Sequence, residues 1–142
     1  MPLRRRLRIH LCHMHARLYA GSGGRLGGSV GGHRVLLLTT TGRRSGERVR
    51  TPVQYEVVDG ETLLVAAGGG SPRPPAWWRN VEADPHVSVQ IGGDERPALA
   101  ATLPAAERAE RWPRLCERNR HLEPLQRKAG RELPVVRVTW AS

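Results

Sequence analysis

The sequence predicts an α+β protein: a small β-barrel of about six mostly antiparallel strands, with an N-terminal helix and further helices at its periphery. Three observations carry that expectation. Short runs of alternating or β-branched apolar residues recur between Arg34 and Trp140, each bounded by glycine, proline or aspartate. Asp59-Gly60 and Gly92-Gly93-Asp94 separate consecutive runs closely enough to make hairpins, so those neighbours pair antiparallel. At 142 residues the chain has length for one sizeable core.

Taken in order, Leu3, Leu7, Leu11, Met14 and Leu18 recur at steps of three and four, the period of one helix face. Arg4, Arg5, Arg6, Arg8 and Arg17 fill the positions between, which makes that helix basic and amphipathic. It suits either capping of the domain or a peripheral contact with anionic lipid. Residues 21–33 are too rich in glycine for a helix or strand and read as a connector. The first 33 residues thus form a leading helix with its linker, and 34–142 form the barrel domain.

Strands are expected at 34–41, Arg48–Val58 and 61–67, the last two joined through Asp59-Gly60. A loop, GGGSPRPP, leads into a short helix over Ala76–Ala83. Asp84-Pro85 ends that helix, because the residue before proline is pushed out of helical geometry. His86–Ile91 alternates as a strand and 96–103 returns antiparallel to it. Pro104 suits the first turn of a helix running to about Asn119, which Pro113 kinks or divides. A further helix over 123–129 and a closing strand over 133–140 complete the order.

A formal net charge of +10 and an isoelectric point near 11.4 suit an acidic partner: nucleic acid, an anionic membrane or a polyanionic cofactor. No apolar run approaches the roughly 20 residues of a membrane-spanning helix. The N-terminus lacks the uniform apolar centre of a signal peptide, so a cytoplasmic protein is expected, with membrane association left open through the first helix. Cys12 and Cys116 stand far apart without metal-type spacing and read as two reduced thiols. His10, His13 and His15 have no carboxylate to orient them, and no metal site is expected there.

One stretch concentrates chemistry. In LLLTTTGRRSGERVRTP an apolar strand runs into a Gly-Arg-Arg-Ser-Gly turn, and a second strand leaves it carrying Arg48 and Arg50. Amides at the glycines and paired guanidiniums can clamp phosphate or carboxylate. A solvated hairpin tip is the bland alternative for the same residues. Nucleic-acid binding would need aromatic platforms beside the basic groove, and none of the six aromatics interleaves with these arginines.

TTTGRRSG, the AAGGG loop, PAWWRNVEADPHVSVQIGG and the N-terminal SGGRLGG resemble, in residues and in order, the deazaflavin-dependent nitroreductase family of actinobacteria. The resemblance runs from about Tyr19 to Leu103 and more weakly to the last strand. It implies a split β-barrel oxidoreductase that binds reduced coenzyme F-420, a deazaflavin with a ribityl phosphate, a lactyl unit and a polyglutamate tail. By position it implies phosphate-side contacts from Thr41, Arg43, Arg44, Ser45 and Gly46, joined by Arg50, and ring-side contacts from Ala67, Gly68 and Gly69. Gly70 belongs to the same loop, whose glycines would let backbone approach a flat ring. Pro75, Ala76, Trp77, Trp78 and Asn80 match a P-x-W-x-x-N segment; Trp77 either packs the helix on the barrel or lines the cofactor groove. A homodimer of paired barrels is the assembly the resemblance leaves open.

Departures from the family pattern bear on the acceptor. Val49 stands where another arginine is usual, and Ala67 and Gly68 replace polar or basic loop residues. The segment 119–131 carries no aromatic side chain where nitroimidazole-reducing members place tyrosines, so weak or absent nitroimidazole reduction is expected. His121 is the one residue there suited to proton donation, and a surface histidine is the plain alternative. The expected activity is hydride transfer from the deazaflavin to an electron-poor small-molecule acceptor: a quinone, an activated alkene or a nitroarene. No catalytic side chain is assigned. The second choice of cofactor is FMN, whose single phosphate needs fewer basic contacts.

Overall fold

The computed structural model describes residues 29–30 and 33–141. The expected N-terminal basic helix, its histidines and Cys12 lie outside the described residues. Strand β1 (Ser29–Val30) pairs antiparallel with the start of β2 (His33–Thr41). This corrects the expectation of a connector without strand: Ser29 and Val30 interrupt the glycines and are long enough to form two ladder pairs. Next come β3 (Arg48–Val58), β4 (Glu61–Val65), a 3₁₀ turn at Gly68–Gly70 and helix α1 (Ala76–Ala83). The chain continues with β5 (His86–Ile91), β6 (Asp94–Thr102), α2 (Ala105–Arg118), α3 (Leu122–Ala129) and β7 (Val135–Trp140). Helix α2 runs on through Pro113 undivided.

The strands follow the order β1-β2-β3-β4-β7-β6-β5, and β5 pairs back onto β2, so six strands close into an antiparallel barrel. The β3–β4 hairpin has the expected two-residue loop, with Asp59 and Gly60 both at positive φ, the mirror-image turn whose twist matches the strands. Inward residues fill the barrel: Leu36 and Leu38, Val53 and Tyr55, Leu64, Val87 and Val89, Ala98 and Ala100, Val136 and Val138. Trp77 and Val81 of α1 belong to the same cluster and plug one end. A second apolar layer, Val58, Leu63, Leu103, Leu115, Leu122 and Val135, lies under α2 and α3. Adjacent Leu63 and Leu64 are therefore both buried, each by a different layer.

Strand register sets up one special end. The β2–β3 ladder continues to Thr41↔Arg48, whereas β3 meets β4 only from Tyr55 onward. The first half of β3 thus projects as an arm with β2, and Pro52, which cannot donate to a ladder, sits in that one-sided stretch. The glycine loop after β4, helix α1, the start of β5 and the chain entering β7 all fall at the end of the barrel from which the arm projects.

Candidate active site

The turn between Thr41 and Arg48 is built from its backbone outward. Gly42 N–H donates to Glu47 O at 2.7 Å, Gly46 N–H to Gly42 O at 2.8 Å, and Glu47 N–H to the Ser45 hydroxyl at 3.1 Å. A Cβ at Gly42 would collide with Ser45 Oγ, and Gly46 holds φ of +73°, so both glycines are required by shape. Arg43 N–H donates at 3.1 Å to the side-chain carbonyl of Asn80, which reaches up from α1. Four of the six amides from Gly42 to Glu47 are therefore consumed internally; those of Arg44 and Ser45 are not.

This corrects the sequence-based picture of the clamp. The glycine amides shape the turn, and the two successive amides left to meet a ligand belong to Arg44 and Ser45. Around them Arg43, Arg44, Ser45, Gly46, Arg48 and Arg50 are exposed, and among the described residues no carboxylate lies within ion-pair distance of the four arginines. Arg48 donates to Thr41 Oγ1 at 2.9 Å, which occupies that hydroxyl on the outer face of the arm. Arg50, opposite Thr39, lies on the same face by register. Val49, opposite Thr40, takes the inward face and stays partly exposed at the mouth. Two amides and several guanidiniums without carboxylate contact among the described residues are donors that can meet a phosphate or carboxylate.

The second wall is the loop from Ala66 to Pro75. Gly68, Gly69 and Gly70 all have positive φ, so glycine is demanded by backbone conformation at three successive residues. A side chain at Gly70 would also press into Lys128 and Leu125 of α3. The expectation that these glycines admit a flat ring is thus joined by a structural reason independent of any ligand. The loop is held from behind by Arg131, placed there because α3 ends at left-handed Gly130. Its guanidinium donates to the carbonyls of Ala66, Ala67, Ser71 and Arg73 at 3.2–3.5 Å. Lys128 Nζ reaches Gly69 O at 3.4 Å. Partial burial lowers the pKa of Arg131 from its ordinary value.

This arrangement can be set beside known proteins. A sequence model of the F-420H(2)-dependent quinone reductase family matches residues 11–139. The chain belongs to that family. It is 30% identical over 141 residues to an F-420H(2)-dependent quinone reductase of Mycobacterium tuberculosis, covering 96% of this chain and 95% of the relative. A solved F-420-H2 dependent reductase superposes with a TM-score of 0.64 at 36% identity, over 73% of this chain and 92% of its own. A second solved structure, described as a domain-swapped dimer, gives 0.65 at 32% identity over 89% and 94% of the two chains. Membership makes the protein a coenzyme F-420-dependent reductase, and the deazaflavin takes precedence over FMN.

Within this family frame the residues singled out from sequence fall into distinct places. Thr41, Arg43, Arg44, Ser45, Gly46 and Arg50 gather on the arm, and Ala67, Gly68 and Gly69 on the loop beside α1. Trp77 is buried in the barrel core, so packing accounts for its position. His121 is the residue before α3, one turn ahead of Leu125, whose side chain lies beside Gly70 of the loop. Asn80 and Arg131 were the residues whose roles sequence reasoning missed. Asn80 belongs to the P-x-W-x-x-N segment, and its placement three after Trp77, on the same helix face, is the available signal. Arg131 gave none, since one more arginine in a basic chain is indistinct. Cys116 is half-buried, and burial pushes its thiol pKa up, which suits an unreactive side chain.

Proposed function

We propose that this reductase binds reduced coenzyme F-420 across the arm end of the barrel and passes a hydride to a quinone. The 42–47 turn would hold the phosphate and acidic tail, and the 66–70 loop would lie beside the ring. The observation that carries this is the tip itself: two adjacent unengaged amides surrounded by arginines without carboxylate partners among the described residues. When bound, the reduced deazaflavin supplies the hydride. Arg43 and Arg44 neutralise the phosphate while the Arg44 and Ser45 amides fix its position, and Arg50 extends positive charge along the tail. The loop, held by Arg131, would present backbone to the ring and help to orient it toward a flat acceptor. The proton that completes quinol formation would come from solvent. The aromatic-free segment 119–131 leaves the acceptor side without phenol donors, which suits a quinone better than a nitroarene.

The test is fluorescence titration of oxidised and reduced coenzyme F-420 into the wild type and the Arg43→Ala/Arg44→Ala double variant. The affinity is expected to fall about 100-fold, because charge-assisted hydrogen bonds contribute about 1.5–3 kcal/mol each. Unchanged affinity overturns the assignment of the turn. A turnover panel is expected to show quinone reduction with little nitroimidazole reduction, and the reverse order overturns the choice of acceptor.

A further inference from the structure

Resting on that cofactor assignment, we propose that Asn80 is the positioning residue of the anion clamp, acting from within the barrel end to decide which amides of the turn face the ligand. Its side chain is 6% exposed and makes two bonds of opposite sense. The carboxamide oxygen accepts from Arg43 N–H at 3.1 Å, and the carboxamide nitrogen donates to Thr40 Oγ1 at 3.1 Å. Thr40 is fully buried. The Arg43 N–H, which can only donate, sets the carboxamide orientation: it requires the oxygen, and the nitrogen is left to donate to the Thr40 hydroxyl.

The consequence lies at the tip. Arg43 N–H points inward to Asn80, and Gly46 and Glu47 direct their N–H groups back into the turn. Only the intervening pair, Arg44 and Ser45, is left for an anion. Removing the Asn80 oxygen leaves Arg43 N–H without its partner at the barrel end, and the turn can then rotate that group outward and the productive pair away. Aspartate could accept the same bond but would place a negative charge beside the anion, so the neutral amide is the side chain that serves. Asn80 touches no reacting atom; it acts through Arg43.

The decisive comparison uses two ligands: reduced coenzyme F-420, and the same deazaflavin cut back to its ribityl group, without phosphate or tail. Dissociation constants for both are measured by fluorescence titration on the wild type, Asn80→Ser and Thr40→Val. Thr40→Val keeps the shape of the threonine and removes its hydroxyl, which leaves the Asn80 carboxamide held at one end only, so it carries the test should Asn80→Ser fail to fold. The expected result is a loss of about tenfold in affinity for the full cofactor, equivalent to about 1.4 kcal/mol, with affinity for the tail-less compound unchanged. Equal loss for both ligands would mean a general structural role and overturns the proposal. So does unchanged affinity for the full cofactor. A wild type that binds no coenzyme F-420 is a different pattern and defeats the cofactor assignment itself.

Discussion

At the tip of the β2–β3 arm, Arg43, Arg44, Arg48 and Arg50 stand exposed with no carboxylate within ion-pair distance among the described residues, although Glu47 lies in the turn itself and Asp84 is near enough to feel the charge of Arg48. On the wall formed by α2 and the far ends of β4 and β7, arginines are bonded to carboxylates. Arg111 and Arg137 share Glu61 at 2.8 Å, Arg137 also reaches Glu107 and Arg114 pairs with Asp59, while at the other end of α2 Arg108 lies near Glu132. The residue type is the same and the local charge balance is opposite. A solvated, unpaired guanidinium adds little to folding, yet becomes a strong contact once an anion desolvates it. A paired guanidinium has already met its anion within the chain. The excess positive charge of the protein is thus informative only where the acidic residues are absent.

The largest expected effect comes from breaking the paired set at its most buried member. Arg108 donates to Leu133 O and Gln126 Oε1 at 2.9 Å and stacks over Trp112 with its Cζ 4.4 Å from the ring centroid. Arg108→Ala leaves those acceptors unmet in a buried setting, at a cost of about 3 kcal/mol in urea unfolding. Binding of coenzyme F-420 by the fraction that folds should be unchanged. The Arg43→Ala/Arg44→Ala variant should show the mirror image: about 100-fold weaker binding, with a melting temperature within about 2 °C of wild type, since exposed substitutions rarely exceed about 0.5 kcal/mol. A double variant that melts much earlier would mean that the tip arginines also support the fold, and the contrast would fail.

Between these extremes stands Arg131, which pairs with carbonyls where the wall arginines pair with carboxylates. Arg131→Ala should loosen the glycine loop without touching the phosphate site. The expected outcome is a fall of about tenfold in kcat for quinone reduction, as small misplacements of a reacting ring are costly, with the dissociation constant of the cofactor changed less than threefold. Single-turnover hydride transfer and equilibrium titration measured side by side check this. A loss confined to binding would place Arg131 with the tip arginines instead.

Much of this contrast was legible in the sequence, and the illegible part has a physical cause. Alternation in Arg48–Val58, the Asp59-Gly60 turn and the Asp84-Pro85 stop are local signals, and β3, its hairpin turn and α1 emerged where those signals put them; β4 ends at Val65 and not at 67, β6 starts at Asp94 and not at 96, and β7 starts at Val135 and not at 133. The GRRSG turn was legible as a clamp because its arginines are contiguous. Which amides it presents was not, because that depends on Asn80, 37 residues away from Arg43. Likewise nothing near Glu61 in sequence announces Arg111 or Arg137, which are 50 and 76 residues distant. Barrel closure brings such groups together through long-range pairing, and a single chain's pattern carries periodicity far better than pairing.

The smallest expected effect concerns the centre of the paired wall and depends on pH. Glu61 sits between two guanidiniums, and hydrogen bonds from Arg137 first and Arg111 second hold its carboxyl below the ordinary glutamate value. A carboxylate whose pKa is lower in the folded than in the unfolded chain binds its proton more readily when unfolded. Its stabilising contribution is therefore complete above the unfolded value, about 4.3, and is lost as pH falls through the lower folded value. Glu61→Gln should cost on the order of 1 kcal/mol at pH 7, given that the site is partly open to solvent. The gap between wild type and variant should hold steady down to about pH 5 and close progressively below about pH 4. Chemical denaturation of both proteins across that range reads the gap directly. A difference independent of pH would mean that the side chain stabilises by shape alone, and the wall arginines would then no longer contrast with the tip by charge pairing.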